Sequence, residues 1–269
     1  MSRDVRLRQL KAVFLLELKR LVRGQEGRAA LFFAATPFLL ALLAGTARGV
    51  VVSPGRVEKE LAFVFQNLVL QGTLYFGTLF VFGGLLRGEQ IGKTLHHLFL
   101  APVRREVVLL GKYLAALAVT AVAFGGFVAL AYLTLLSHTG KAAAAAHLGS
   151  GGGAGRLLAY VLVSALACAG YGAVFLAFGQ WVKNPILPAL VFWGWEHVSF
   201  LLPAVLKRIG LIHDLLSLTP VQVPAGFLAV LGEPLPAWIA IPAPLLLASA
   251  LLVLSCWKVR RTEVDYGVE

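Results

Sequence analysis

The stretch VVLLGKYLAALAVTAVAFGGFVALAYLTLL, residues 107–136, contains a single charged side chain, Lys112, in thirty residues. A helix needs about 20 mostly apolar residues to cross a hydrocarbon core of about 30 Å, and this stretch exceeds that length. It lacks the alternation of apolar and polar residues that is typical of a membrane barrel strand. It therefore predicts a transmembrane helix, in which every backbone hydrogen bond is made within the segment.

The composition of the whole chain extends this prediction. Hydrophobic residues make up 59% of the sequence and charged residues only 14%, against about 25% in ordinary soluble domains. We predict an all-α integral membrane protein with six spans, at 29–47, 61–86, 107–136, 157–181, 185–206 and 236–257. The predicted transmembrane domain covers residues 29–258, between a cytoplasmic N-terminal segment, 1–28, and a C-terminal tail, 259–269.

Positive charge is distributed unevenly between the two sides of this topology. Seventeen of the 24 Lys and Arg residues fall before the first span, in the 87–112 loop, at Lys183 or after the last span. Because cytoplasmic segments carry an excess of Lys and Arg, we predict a multi-pass protein of the inner or plasma membrane with both termini in the cytoplasm. This placement explains the net charge of +11 without nucleic acid as a partner.

Residues 1–28 predict an amphipathic helix. Five apolar side chains recur at spacings of three and four, while basic side chains occupy another face; the apolar positions are Leu7, Leu10, Phe14, Leu18 and Leu21. Such a helix lies in the membrane interface and contacts anionic lipid headgroups. The alternative is a cytoplasmic helix that packs on another subunit.

Two further loops are predicted to be external. The 137–156 loop contains five consecutive alanines and the sequence GSGGGAG, which indicates a flexible linker without chemistry. The 207–236 segment is partly apolar and interrupted by prolines, which favours one or two short re-entrant or interfacial helices on the outer face.

The 87–112 segment, RGEQIGKTLHHLFLAPVRREVVLLGK, is a long charged interruption between the second and third spans. Its Glu89–Pro102 part can form a helix that Pro102 ends, with Leu95, Leu98 and Phe99 as a short apolar edge. A short cytoplasmic helix with an apolar edge is suited to docking in a groove of a partner. The alternative is a basic loop that only obeys the topology, with Arg104 and Arg105 contacting lipid phosphate.

This segment resembles the permease subunits of ATP-binding cassette transporters of the type-2 exporter class. The likeness is carried by Glu89, Thr94, Leu95, Leu98, Phe99, Pro102, Arg105, Gly111 and Lys112. Two positions depart from the family pattern, because Lys93 stands where glycine is usual and His96 where glutamate is usual.

The resemblance implies that 87–106 is a coupling-helix loop seated on an ATPase and that the N-terminal helix is an elbow helix. The expected partners are two copies of a cytoplasmic ATPase subunit, a second permease copy or paralogue, and membrane lipids, with an accessory periplasmic or extracellular protein as a further candidate. ATP and Mg would be bound by the ATPase, with no cofactor in this chain. The residues expected to couple to the ATPase are Glu89, Thr94, Leu95, Leu98, Phe99, Pro102, Arg104, Arg105 and Lys112.

Motifs for catalysis are absent from the sequence. It has no G-x-x-x-x-G-K-[ST] loop, no H-E-x-x-H and no G-x-S-x-G, so we predict a permease without its own nucleotide site and without catalytic residues. The adjacent His96 and His97 would point about 100° apart on a helix, which makes them poor chelators, and no metal site is predicted.

Polar residues within predicted spans supply the candidates for a substrate path or gate. Glu196 lies twelve residues after Asn184, about 18 Å along a helix, and intramembrane charges usually face a cavity or a bundle interior. The full set of candidates is Glu196, His197, Gln66, Asn67 and Trp193. The alternatives are a structural polar group paired to another helix for Glu196, and interhelical hydrogen bonding for Gln66 and Asn67.

The resemblance thus implies an ATP-driven permease, an exporter more often than an importer, with its substrate undetermined. An ATP-independent channel or secondary transporter is the first alternative, although more paired ionisable residues and an internal repeat would be expected. An intramembrane enzyme that uses Glu196 or His197 is the second.

Overall fold

The computed structural model describes residues 3–46, 53–85, 103–198, 210–223 and 235–261. Regular secondary structure in these ranges is helical throughout. The helices are α1 (Arg3–Arg23), α2 (Gln25–Thr46), α3 (Pro54–Val64), α4 (Leu74–Gly84), α5 (Arg105–Ser137), α6 (Lys141–Gly149), α7 (Gly153–Trp181), α8 (Ile186–Val198), α9 (Ile212–Ser217), α10 (Ala237–Ala240) and α11 (Pro242–Arg261). A π-helical segment, Phe65–Thr73, joins α3 to α4 without a break.

Five stretches of the described chain are long and apolar enough to cross a membrane. They are Gln25–Gly45, Pro54–Gly84, Arg105–Ser137, Gly153–Trp181 and Ala237–Arg261. The prediction of an all-helical, multi-pass membrane protein is confirmed at this level, and each stretch overlaps one predicted span. The predicted span 185–206 is described only as far as α8, and residues 199–209 lie outside the described part.

One end of the bundle brings together the ends of four helices, at Gly83, Glu106, Gly179 and Arg260; we call it the basic end. A methyl group on Gly179 would lie 2.7 Å from the carbonyl oxygen of Gly83, so α4 and α7 finish in close contact. The Arg260 guanidinium donates a hydrogen bond of 2.7 Å to the Glu106 carboxylate. The last turn of α11 therefore lies beside the first turn of α5.

The opposite end, at Gly45, Glu58, His138 and Arg156, is called the Glu58 end. Arg156 near the start of α7 is ion-paired with Glu58 near the start of α3. A side chain at Gly45 would collide with the ring of His138, so the ends of α2 and α5 meet there.

The connection from α7 to α11 joins opposite ends of the bundle. α7 finishes at the basic end, and α11, which is 20 residues and about 30 Å long, finishes there too and so begins at the other end. Tyr75 donates a hydrogen bond of 2.6 Å to the Ala189 carbonyl, and a methyl group on Gly83 would lie 3.7 Å from Pro185. α8 therefore runs beside α4 from the basic end into the bundle.

The 137–156 segment is not the flexible linker that its composition predicts, and that prediction is wrong. Residues Lys141–Gly149 form α6, because alanine is the strongest helix former and five alanines supply most of the helix. Gly140 and Gly152, at φ of 89° and 73°, allow the turns on either side, a conformation that other residues rarely adopt.

The 207–236 segment contains one short helix, α9, in its described part, 210–223. α9 does not lie on the surface: Ile212 and Leu215 are buried, and a side chain at Gly170, past the middle of α7, would contact Leu211. The expectation of a short helix here is therefore confirmed. α9 packs against α7 and the π-helical segment inside the bundle, where its apolar side chains find partners.

Candidate functional site: a polar junction of α8 and α9

Glu196 is buried between α8, α7 and α9, with 5% of its surface exposed. One carboxylate oxygen, Oε2, accepts a hydrogen bond of 2.8 Å from the Tyr171 hydroxyl. The other, Oε1, accepts the backbone N–H groups of Leu211 and Ile212 at 2.7 and 3.1 Å. These N–H groups belong to the start of α9 and have no partner within that helix, so the carboxylate caps α9.

Trp193 and His197 lie one turn apart on α8 and contact each other. Their ring centroids are 4.1 Å apart, and His197 Nδ1 donates to the Trp193 carbonyl at 2.8 Å. The indole N–H of Trp193 donates to the Gln71 carbonyl at 2.8 Å. The Trp193 ring therefore connects α8 to the π-helical segment, and His197 packs against it.

Gln66 and Asn67 point to different partners although they are neighbours in sequence. Gln66 is buried and its amide donates to Thr219 Oγ1 at 3.0 Å and to the Val221 carbonyl at 2.7 Å. Asn67 donates to the Phe63 carbonyl within its own helix, at 2.9 Å. Gln66 thus binds the chain that follows α9, and Asn67 does not take part in the junction.

The π-helical segment explains why Gln66 and Gln71 both serve this junction. A π turn widens the helix and changes the direction of the side chains and carbonyls that follow, and such turns are frequent at functional sites. From the sequence, FQNLVLQGT is predicted only as part of the span 61–86, and the π turn is not predicted.

Aromatic rings surround the polar groups on the side of the basic end. Tyr75 makes edge-to-face contacts with Tyr171 and Phe175, at centroid distances of 5.1 and 4.9 Å. Tyr75, Tyr171 and Phe175 are fully buried. The Glu196 carboxylate is therefore held in a closed, aromatic-lined position with donors on both oxygens, which favours the structural interpretation of this residue over an open path.

The residues expected to couple to an ATPase are described only in part. Glu89, Thr94, Leu95, Leu98, Phe99 and Pro102 lie outside the described residues. Arg104 caps the start of α5, where its carbonyl accepts the N–H of Val107 at 2.9 Å, and Arg105 is the first residue of that helix.

Lys112 is buried, with 2% of its side chain exposed, and its ammonium donates to Glu17 Oε2 at 3.0 Å. The same carboxylate receives Arg20 Nε at 2.9 Å. At the preceding position, a methyl group on Gly111 would lie 2.7 Å from Val13. Gly111 and Lys112 of α5 therefore form the surface on which α1 packs.

The apolar stripe of α1 is divided between two environments. Leu21 is fully buried, and Phe14 and Leu18 pack on the core, whereas Leu7 is 59% exposed. The interfacial position of this helix stays a prediction, but the second half of its stripe packs on the bundle next to the Glu17–Lys112 pair.

Sequence reasoning missed a polar cluster at the Glu58 end. Glu58 Oε1 receives Arg156 and, at 2.8 Å, His147 Nε2 from α6; the Tyr132 hydroxyl is 3.2 Å from the same imidazole nitrogen. A signal was present, because Glu58 stands on the apolar face of its helix, one and two turns before Leu61 and Phe65. An acidic residue on such a face indicates a buried partner.

No protein-family model matches the sequence, and no curated protein matches it at a significant level.

Proposed function

We propose that this chain is the permease subunit of an ATP-driven transporter of the type-2 exporter class of ATP-binding cassette systems. It forms a substrate path as a dimer and is driven by two copies of a separate cytoplasmic ATPase, which binds ATP and Mg. The helical fold with five candidate spans supports the membrane part of this proposal.

The observation that carries the proposal is the attachment of α1 to α5. The Glu17–Lys112 pair and the close contact of Gly111 with Val13 fasten the N-terminal helix to the helix that begins three residues after Pro102. A push on the 87–102 segment would therefore be transmitted to α1 and α5 together. This is what an elbow helix and a coupling helix require of their connection.

The proposal includes a sixth crossing. The connection from α7 to α11 joins opposite ends of the bundle, and α8 runs into the bundle over 13 residues, about 20 Å. In this proposal, residues 185–206 cross the membrane and take the chain from the side where α7 ends to the side where α11 begins. The basic end, with Arg104, Arg105, Arg260 and Arg261, then faces the cytoplasm.

The test is recovery of the ATPase with the tagged chain from its native membranes in mild detergent. Leu98→Asp places a charge on the proposed docking edge, and we expect stoichiometric recovery of a Walker-motif protein from the wild type and its loss from this variant. Leu100→Asp is the matched control, because a helix turns Leu100 about 160° away from Leu98 and it should keep the partner.

Two results would contradict the proposal. Recovery of the chain alone, with transport retained, would favour the channel or secondary transporter. Equal recovery of the ATPase with Leu98→Asp and Leu100→Asp would remove the coupling role from the 95–99 edge.

A further inference from the structure

An apolar groove lies between α2 and α3 near the Glu58 end of the bundle. It encloses about 360 Å³, within the range of about 300–1,000 Å³ that is usual for small-molecule sites. Its walls and floor are formed by Pro37, Leu40, Ala44, Leu61, Phe63 and Leu135.

The sequence of α2 accounts for the hollow. Pro37 lies inside the helix and has no N–H for the carbonyl four residues earlier, which bends a helix at this point. Ala41 and Ala44 follow at spacings of four and three on the same face, and their short side chains leave space against α3.

Charged groups are confined to the mouth of the groove. Arg56, Lys59 and Glu60 lie there on α3, and Phe63 follows on the same face, two turns below Arg56 and one turn below Glu60. Arg56 Nε donates to the Glu60 carboxylate at 3.2 Å. Lys59 is exposed and makes no ion pair with any residue in the described ranges, so the mouth has a net positive charge.

The length of the second span would bring the charged mouth to the level of lipid headgroups. The span Pro54–Gly84 has 31 residues and is about 46 Å long, whereas a hydrocarbon core is about 30 Å thick. Its first turns therefore extend beyond the core, and the apolar part of the groove extends into it.

We propose that this groove binds one acyl chain of an anionic phospholipid, with the phosphodiester group held at Lys59 and Arg56. The chain occupies the apolar space along α2 and α3, where lipid can enter sideways. An anionic headgroup matches the positive mouth, whereas a choline headgroup brings its own cation next to Lys59. This inference is independent of the proposed function.

The test uses the full chain in nanodiscs of phosphatidylcholine that contain a small fraction of phosphatidylglycerol with a photoactivatable group on one acyl chain. We expect peptide adducts to concentrate at Leu40 and Phe63 and to exceed those of the matching choline probe. Equal labelling at Val191 and Leu246, which are exposed on other faces, would overturn the proposal because it would show ordinary lipid contact.

Two variants separate the headgroup from the acyl chain. Lys59→Gln should lower the groove adducts about fivefold, the effect of one cation near a membrane surface, while Lys141→Gln at the same end leaves them unchanged. Ala44→Leu should remove the adducts with all charges intact, and its monodisperse elution would show that the fold is kept. Adducts that persist in Ala44→Leu would contradict a chain in the groove.

A competition experiment completes the test. Excess glycerophosphoglycerol, the headgroup without acyl chains, should lower the groove adducts no further than Lys59→Gln does, because it competes only for the cations at the mouth. Loss of the adducts would mean that the headgroup alone provides the binding, and the proposal would be wrong.

Discussion

Glu17 and Lys112 form an ion pair with only 2% of either side chain exposed. Removing one charge of a buried pair is far more damaging than removing both, because the remaining charge has lost its compensation. The sequence analysis assigns no partner to Glu17, and it includes Lys112 only through the family resemblance. Their pairing was not predictable, since 95 residues separate them and no local pattern records the contact.

Substitution of this pair should therefore be strongly non-additive. We expect Glu17→Met to lower stability by about 3–5 kcal/mol, because it removes the carboxylate from the buried ammonium. Lys112→Met should cost less, since Arg20 still pairs with Glu17. The double variant should be more stable than Glu17→Met, as measured by thermal unfolding in detergent, with exposed Lys19→Met as the control. Additive losses would show that the two charges act separately.

The sequence identifies Glu196 as a charge within a predicted span, but it does not predict the partners of this carboxylate. The start of α9 lies fifteen residues further on, beyond any helical period. Among the described residues, three donors bind its carboxylate and hold α9 against α7 and α8.

We expect Glu196→Leu to destabilise the protein by about 2–6 kcal/mol, because two backbone N–H groups lose their acceptor at about 1–3 kcal/mol each. Glu196→Gln keeps a carbonyl oxygen for these groups and should stay within about 1.5 kcal/mol of the wild type. Thermal unfolding of the two variants side by side is the measurement. Equal losses would show that the negative charge, rather than the capping oxygen, supports the fold.

At the scale of elements, the sequence predicted what length and hydropathy can determine. The third and fourth predicted spans match α5 and α7 within a few residues, because a helix that crosses the hydrocarbon core must be mostly apolar over about 20 residues. α6 was missed because its alanines suit either a helix or a linker. In the folded chain, the contact of His147 with Glu58, 89 residues away, favours the helix over the linker.

Close helix packing gives an element-level prediction. Gly179→Ala should destabilise the protein by about 1–3 kcal/mol, because the methyl group meets backbone rather than a movable side chain. Gly126→Ala in α5 is the matched control: nothing lies within 4 Å of the added methyl, and helix propensity favours alanine by about 1 kcal/mol. Thermal unfolding of both variants tests this. An unchanged midpoint for Gly179→Ala would mean that α4 and α7 separate without cost.

For the whole molecule, the helix ends predict a specific sidedness. Single cysteines at Lys183 and Arg261, in a variant with Cys168 and Cys256 replaced by alanine, should react with a membrane-impermeant maleimide only from the cytoplasmic side. Cysteines at Ser150 and Trp238 should react only from the opposite side. Reaction of positions 183 and 238 from the same side would show that residues 182–236 do not change sides.

The packing of α1 on Gly111 and Lys112 also has a consequence for folding during synthesis. During synthesis, Glu17 emerges 95 residues before Lys112, and the first two apolar stretches follow before its partner exists. Until α5 is inserted, Glu17 can pair with Arg20 of its own helix but not with Lys112, so α1 can take its final position only after the third long apolar helix has entered the membrane. Helices from the middle of the sequence would therefore pack before α1, which would be among the later helices to dock.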